Sequence, residues 1–467
     1  MLNLKETLQI LPYEKRMVTI ILYIFYLYDT SGYNLFRKEK RMYFSVSRTE
    51  WRLEVTLRFC LENERKVIMA RLVGTVSRGI RTPIIREGDD IEAIVTDSLI
   101  KASEDADWGF KFRDKDIVCM TEAIVARAQG NYASVDDIAA DVKAKFGDEA
   151  VGVIFPILSR NRFAICLRGI ARGAKKVVLM LSYPSDEVGN QLVDLDLVDK
   201  AGVDPFKDVL SLEKYRELFG YSVHRFTGVD YVKYYQEIIE NEGAECEIIF
   251  ANDPKAVLNY TSAVLACDIH TLPRTKKILK AAGAKILFGL DEILNAPVNG
   301  SGFNPSYGLL GSNKATEDTV KLFPKDGQEL VEGIQAKLKE LTGKNIEVMV
   351  YGDGGFKDPV GGIWEFADPV VAPFYTKGLE GTPNELKIKY LADNDFGAME
   401  GEDLKAAIVK EIEKKDSNLV GKMASEGTTP RQLTDLIGSL SDLTSGSGDK
   451  GTPVVFIQGY FDNYSTN

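Results

Sequence analysis

Between about residues 175 and 295, short apolar runs alternate with longer amphipathic stretches, and no other feature of this chain constrains its fold as tightly. The runs at 177–181, 247–250 and 285–288 have the length of buried strands. The stretches at 212–219, 231–242, 254–266 and 275–282 carry apolar residues at helical spacing. This βααβααβ rhythm predicts an α/β unit with a largely parallel sheet. No G-x-G-x-x-G turn follows any of its strands, so a dinucleotide site there is unsupported.

On either side the pattern is more irregular. Upstream, strands are expected at 72–76, 117–121, 151–156 and 162–167, with helices at 91–102, 122–128 and 136–146. Asp89 and Asp90 stand where the first of these helices needs an N-cap. Downstream follow a helix at 327–342, a strand at 346–351, a helix at 402–415, a hydroxyl-rich helix-and-loop region at 429–451 and a closing strand at 454–458. The fold class expected is mixed α/β, of α+β type outside the insert: mixed sheets interrupted by an α/β subdomain at about 175–295.

Charge divides the chain at Met69. Residues 1–68 carry 12 lysines and arginines against 8 acidic residues, whereas the remaining 399 carry 46 against 61. Gly32 is the sole glycine of the first part. Its most apolar run, 17–28, is 12 residues long, short of the roughly 20 that span a bilayer. An export signal, an accessory element and a leader translated from upstream of a true start at Met69 all fit this segment. The leader is the working expectation, leaving 69–467 as the domain. The net charge of −11 argues against a nucleic-acid or anionic-membrane binder, both of which need a basic surface. Five scattered cysteines without a C-x-x-C pair suit neither a disulfide framework nor a zinc site, and a cytoplasmic location is expected.

Two stretches can carry phosphate chemistry. Gly308-Leu-Leu-Gly-Ser312-Asn313-Lys314 leads to Glu317 and Asp318, and a later apolar strand ends in Gly352-Asp353-Gly354-Gly355-Phe356-Lys357. A carboxylate exposed among glycines at a strand's end suits a hard cation shared with substrate phosphates, and Lys314 and Lys357 can neutralise those phosphates. A glycine turn capped by Asp353 fits the same residues. Arg160, Arg162, Arg168 and Arg172 form an anion cradle in an acidic protein, or a surface strand paired with its acids. With only His224 and His270, and no G-x-S-x-G or H-E-x-x-H frame, hydrolase chemistry is demoted.

Several of these stretches together resemble the coenzyme F-420 gamma-glutamyl ligase family, including its longer bacterial relatives described as folate-metabolism gamma-glutamate ligases. Pro83 to Asp90 matches the family's Pro-x-x-x-x-Gly-Asp-Asp turn, and Asp114-Lys-Asp116 followed by Thr121 to Gly130, with Arg127, matches its next strand and helix. Ser312-Asn313 before Leu322-Phe323-Pro324-Lys325-Asp326, Asp353 after the following strand, and Gly451-Thr-Pro453-Val to Gly459 complete the likeness. The family's Asp three residues before that Asn is Leu310 here, so Glu317, Asp318 or Asp358 is the expected replacement ligand.

The resemblance implies a gamma-glutamyl ligase-like fold and a reaction in which a nucleoside triphosphate, GTP or ATP, drives addition of L-glutamate to an anionic carboxylate acceptor through an acyl phosphate. It assigns Asp353 and Lys357 to catalysis, and Asp353, Glu317 and Asp318 to Mg²⁺ or Mn²⁺. Ser312, Asn313, Lys314, Gly352 and Gly354 would bind the nucleotide, and Arg160, Arg162 and Arg127 the acceptor or glutamate. A homodimer is the implied assembly. Two alternatives stand beside it: a divergent non-ligating relative that binds nucleotide and metal, and another enzyme with its site in the α/β insert.

Overall fold

The structure is a computed structural model that describes residues 72–225, 227–352, 371–428, 431–446 and 449–466. The expected leader at 1–68 and the residues Asp353, Gly354, Lys357 and Asp358 lie outside the described residues. In chain order the strands are β1 (Val76–Ile80), β2 (Ile117–Thr121), β3 (Tyr132–Ser134), β4 (Val151–Ile154), β5 (Lys176–Leu181), β6 (Leu210–Ser211) and β7 (Glu245–Phe250). They continue with β8 (Ala263–Ala266), β9 (Ile286–Gly289), β10 (Asn313–Lys314), β11 (Thr319–Lys321), β12 (Glu347–Gly352), β13 (Val371–Tyr375) and β14 (Val454–Gln458). The longer helices are α1 (Ile91–Ser103), α2 (Glu122–Ala128), α3 (Val135–Phe146), α4 (Phe163–Gly173), α5 (Leu195–Ala201), α6 (Leu212–Phe219), α7 (Tyr231–Asn241), α8 (Leu272–Ala282), α9 (Gly327–Thr342), α10 (Gly401–Lys414) and α11 (Leu433–Ser445).

Three sheets organise these elements, giving the mixed α/β class. The five-stranded sheet has the order β1-β14-β2-β12-β13, and its β2 and β12 run parallel while the other neighbours are antiparallel. Its strands β2, β12 and β14 are nearly uniformly buried because α1 and α9 cover one face and α11 the other. A small antiparallel sheet, β10-β11-β3, lies beside the β2–β12 edge. The six-stranded sheet has the order β6-β7-β5-β4-β8-β9, parallel except for the short edge strand β6.

That third sheet is the α/β unit, and it reaches further back than residue 175. Strand β4 at Val151–Ile154 lies between β5 and β8, so the unit starts with β4 and its crossover helix α4. The parallel strands proceed outward from β4 to β5 and β7, then return to β8 and β9 on the other side. Sheets wound this way open a crevice at the carboxyl ends of the strands where the direction reverses, here β4 and β8.

Several local expectations need correction. The run at 162–167 is not a strand but the start of α4, in which Phe163 to Leu167 are all buried. A fully buried apolar run has no periodicity to separate strand from helix, and a crossover between parallel β4 and β5 requires the helix. The stretch 254–266 divides into a short 3₁₀ turn at Pro254–Asn259 and strand β8, whose Ala-Val-Leu-Ala is buried throughout. The first strand begins at Val76 rather than Leu72, because its partner β14 starts pairing there, and Leu72 and Val73 are exposed. The helices expected at 91–102 and 136–146 both form, the first with its expected cap. Asp90 accepts from the Ala93 amide at 3.0 Å, and Ser134 and Asp137 close a reciprocal capping box on α3.

Candidate functional site

Two sheets present their carboxyl edges to the same region. Strands β2 and β12 end side by side, Thr121 opposite Tyr351, so Glu122 at the start of α2 stands next to Gly352. A Cβ on Gly352 would fall 2.6 Å from Phe323 Cε1 and 2.7 Å from Glu122 Cγ. Gly311 touches the other side of the same ring, where a Cβ would lie 1.8 Å from Phe323 Cε2. The two glycines thus let the Gly308–Asn313 stretch and the end of β12 close on one buried phenylalanine.

The α/β unit supplies the opposite wall. The loop leaving β4 carries Arg160 and Arg162, and its Asn161 carbonyl accepts the Lys314 amide at 2.8 Å. Ser312 is buried, with its hydroxyl 3.4 Å from Cys166 Sγ on α4. A small pocket at the β4–β8 crevice is lined by Arg162, Ile157, Phe163, Ile269, Leu290 and Leu310, together with Ser312. The loop's shape is set by Tyr235, whose hydroxyl receives the Ser159 amide at 2.8 Å and donates to the Ile157 carbonyl at 2.9 Å. His224 is buried nearby, and burial, assisted by the positive charge of Arg160, holds its pKa below the ordinary imidazole range.

The sequence-predicted residues therefore divide. Arg162, Ser312, Asn313 and Lys314 converge, Arg160 is exposed on the same loop, and Gly352 joins them through Phe323. Glu317 and Asp318 are not brought to Gly352. They sit at the far turn of the β10–β11 hairpin, with side chains 82% and 72% exposed, paired with Lys314 at 2.6 Å and Arg168 at 3.2 Å. Asp318 stands three residue steps before Lys321, about 10 Å of strand. Arg127 is exposed in the last turn of α2. Arg168 and Arg172 are structural: both clamp Glu242, and Arg172 also reaches Asp136. Burial raises the Glu242 carboxyl, but the two guanidinium groups outweigh it and hold the pKa below its usual value.

One pair at this edge was not anticipated. Lys321, the last residue of β11 and opposite Asn313, places its ammonium 2.7 and 2.9 Å from the two oxygens of Glu122. Both side chains are largely buried, 12% and 7% exposed. Glu122 follows Thr121 in the stretch that carries the family likeness, but its partner is 199 residues away, a distance no local pattern bridges. Leu310, in place of an acid, packs against the apolar core of the α/β unit. Among the described residues no three His, Cys, Asp or Glu side chains converge as a metal site.

The model of the F420-0:gamma-glutamyl ligase family matches residues 79–459. The chain belongs to this family. Membership in the F420-0:gamma-glutamyl ligase family makes it an enzyme of the type that forms gamma-glutamyl bonds. The match runs through the α/β unit as well as the sheets flanking it. No curated protein matches the chain significantly. Among solved structures, the rRNA methyltransferase aviRa from Streptomyces viridochromogenes aligns at 16% identity over 46% of this chain and 72% of its own, with a TM-score of 0.14, too slight a likeness to bear on the fold. Among the described residues no helix is long and apolar enough to cross a membrane.

Proposed function

We propose that this member of the family is a nucleoside-triphosphate-dependent ligase that joins the amine of L-glutamate to the carboxylate of an anionic acceptor of coenzyme F-420 or folate type. The observation that supports it is the convergence of the arginine loop after β4 with Ser312–Lys314 and the end of β12. An ionised carboxylate resists attack by an amine. Transfer of the γ-phosphoryl group of GTP or ATP to an acceptor oxygen gives an acyl phosphate and a nucleoside diphosphate. The amine then attacks the acyl carbon and inorganic phosphate leaves. Such transfer needs positioning and charge neutralisation more than covalent chemistry from the protein.

In this reading Arg160 and Arg162 hold the acceptor carboxylate in fork geometry, and Asn313 and Lys314 face the nucleotide. Ser312 contributes through the backbone, since its hydroxyl is turned to Cys166. Asp353, one residue beyond Gly352, is the residue assigned to Mg²⁺ or Mn²⁺, which when bound would neutralise triphosphate charge; Gly354 and Lys357 complete that assignment. The described part of this edge offers one buried carboxylate, Glu122, whose charge the Lys321 ammonium already balances, so the cation is assigned to Asp353 and the substrate phosphates. A cytoplasmic homodimer is the proposed setting.

A screen of carboxylate acceptors with labelled glutamate, GTP or ATP, and Mg²⁺ or Mn²⁺ tests the reading. Labelled product is expected with one acceptor class, and Asp353→Asn should abolish it while the protein stays folded. Leu310, packed into apolar core instead of presenting an acid, favours a second reading, a non-ligating relative that binds nucleotide and metal. That reading predicts no labelled product with any acceptor and no metal-dependent triphosphate hydrolysis.

A further inference from the structure

We infer that the cavity between the turn before β2 and the segment after β14 binds a free α-amino acid, with its ammonium on the Asp116 carboxylate and its carboxylate on Arg113 and Lys115. The site does not depend on the nucleotide-dependent reading above. Asp116 immediately precedes β2 and Glu122 follows its other end, so five residues of strand, about 17 Å, hold the two ends apart.

The cavity measures about 290 Å³, close to the lower end of the roughly 300–1,000 Å³ of small-molecule sites. Asp116 lines it and is buried, 1% exposed. Its carboxylate accepts the Arg113 amide at 2.8 Å and the Gln458 side-chain amide at 2.9 Å, and both bonds fall on Oδ2. Among the described residues Oδ1 has no hydrogen-bond partner, which leaves it for the cavity. Burial pushes the Asp116 carboxyl above its ordinary pKa, and the nearby negative charge of Asp462 adds to the effect. A positively charged donor against Oδ1 offsets both.

The rim carries the opposite sign. Arg113 and Lys115 line the same cavity and form no ion pair among the described residues, whereas Asp114 between them is held by the Asn345 amide at 2.8 Å and by Lys344 at 3.6 Å. Simpler ligands meet half of this lining unfavourably. A plain anion faces Asp116 and Asp462, and a plain amine faces Arg113 and Lys115. A metal ion is not served either, because no three acidic, histidine or cysteine side chains among the described residues converge. A zwitterion satisfies both halves at once, through charge-assisted hydrogen bonds at each end.

Isothermal titration calorimetry of the full chain, without nucleotide or metal, tests the inference. The probes are glycine, L-alanine and L-leucine, with acetate and ethylamine as the separate halves. None of the three amino acids carries the side-chain carboxylate of glutamate, so a glutamate site elsewhere is not what the titration reads. At least one amino acid is expected to bind at least about ten-fold more tightly than either half. Asp116→Asn keeps the shape and the two bonds on one oxygen but turns an N–H donor toward the cavity, so it should weaken that binding at least about ten-fold. Replacing Arg113→Gln and Lys115→Gln together changes only exposed side chains and should weaken it at least about ten-fold as well, which keeps the test decisive where Asp116→Asn fails to fold. Absence of binding by all three amino acids overturns the proposal. So does equal binding of acetate or ethylamine, and so does amino-acid binding that survives in a folded Asp116→Asn protein or in the double variant.

Discussion

The Lys314 amide donates to the Asn161 carbonyl at 2.8 Å, joining the loop after β4 of the α/β unit to the strand that follows Ser312. This bond holds the arginine loop against the glycine-rich segment. Lys314→Pro removes the donor and leaves the Asn161 carbonyl without it, a loss of about 1–3 kcal/mol. Lys314→Ala keeps the backbone bond and gives up only an exposed ion pair, worth about 1 kcal/mol or less. Urea denaturation of both variants checks the contrast, and equal destabilisation would show that the side chain rather than the backbone bond matters.

Gly311 and Gly352 confine the Phe323 ring between them. Gly311 also has φ +75°, where a side chain is strained whatever the space, so Gly311→Ala adds backbone strain to a 1.8 Å clash. Gly352→Ala meets the ring at 2.6 Å without that strain. Overpacking of this kind costs about 1–3 kcal/mol, and Gly311→Ala should lie at or beyond the upper end. Phe323→Leu in the Gly352→Ala background should recover part of the loss. Chemical denaturation of the single and double variants decides this, and additive losses would show that ring and methyl do not compete for the same space.

Much of this arrangement could be read from the chain because its signals are local. Asp90 and Ser134 cap their helices through residues three positions on, and the runs that become β5 and β7 are apolar whatever surrounds them. The errors fall where burial erases periodicity. Phe163 to Leu167 and Ala263 to Ala266 are buried on all sides, and only the sheet order makes the first a helix and the second a strand. The glycine-rich stretches are legible as places of close approach, but what approaches Gly311 and Gly352 in the fold is the Phe323 ring. The pair Lys321–Glu122 was not legible, because its meaning arises only when β11 is laid beside α2. Glu317 and Asp318 lie at the turn of the β10–β11 hairpin, paired with Lys314 and Arg168, and the Arg168 partner, 150 residues away, is not readable from the chain either.

The clamp of Arg168 and Arg172 on Glu242 makes part of the stability acid-sensitive. The native Glu242 pKa lies below its ordinary value of 4.5, so the unfolded chain binds the proton more readily. This contribution is complete above the ordinary value and is lost as the pH falls through the lowered native one. Glu242→Gln should be less stable at neutral pH and should lose less on acidification. Urea midpoints followed into the acid range test it; parallel profiles for the two proteins would mean that other carboxylates carry the acid sensitivity.

His224 gives a second pH dependence, in a different window. Its native pKa is lowered from 6.5 by burial first and by Arg160 second, so the folded protein resists protonation that the unfolded chain accepts. The unfolded state then binds more protons between 6.5 and the lowered value, and stability falls as the pH drops through that window. One such group contributes a slope of at most about 1.4 kcal/mol per pH unit. The ring packs edge-on against Tyr231 at 5.7 Å, and its Nδ1 receives the Thr227 amide at 3.2 Å. His224→Phe keeps the aromatic contact and removes both the titration and that acceptor. It should therefore lose about 1 kcal/mol at neutral pH and show a shallower fall of stability just below pH 6.5. Urea denaturation of the two proteins across this window measures the difference, and an unchanged slope in His224→Phe would rule out the histidine as its source.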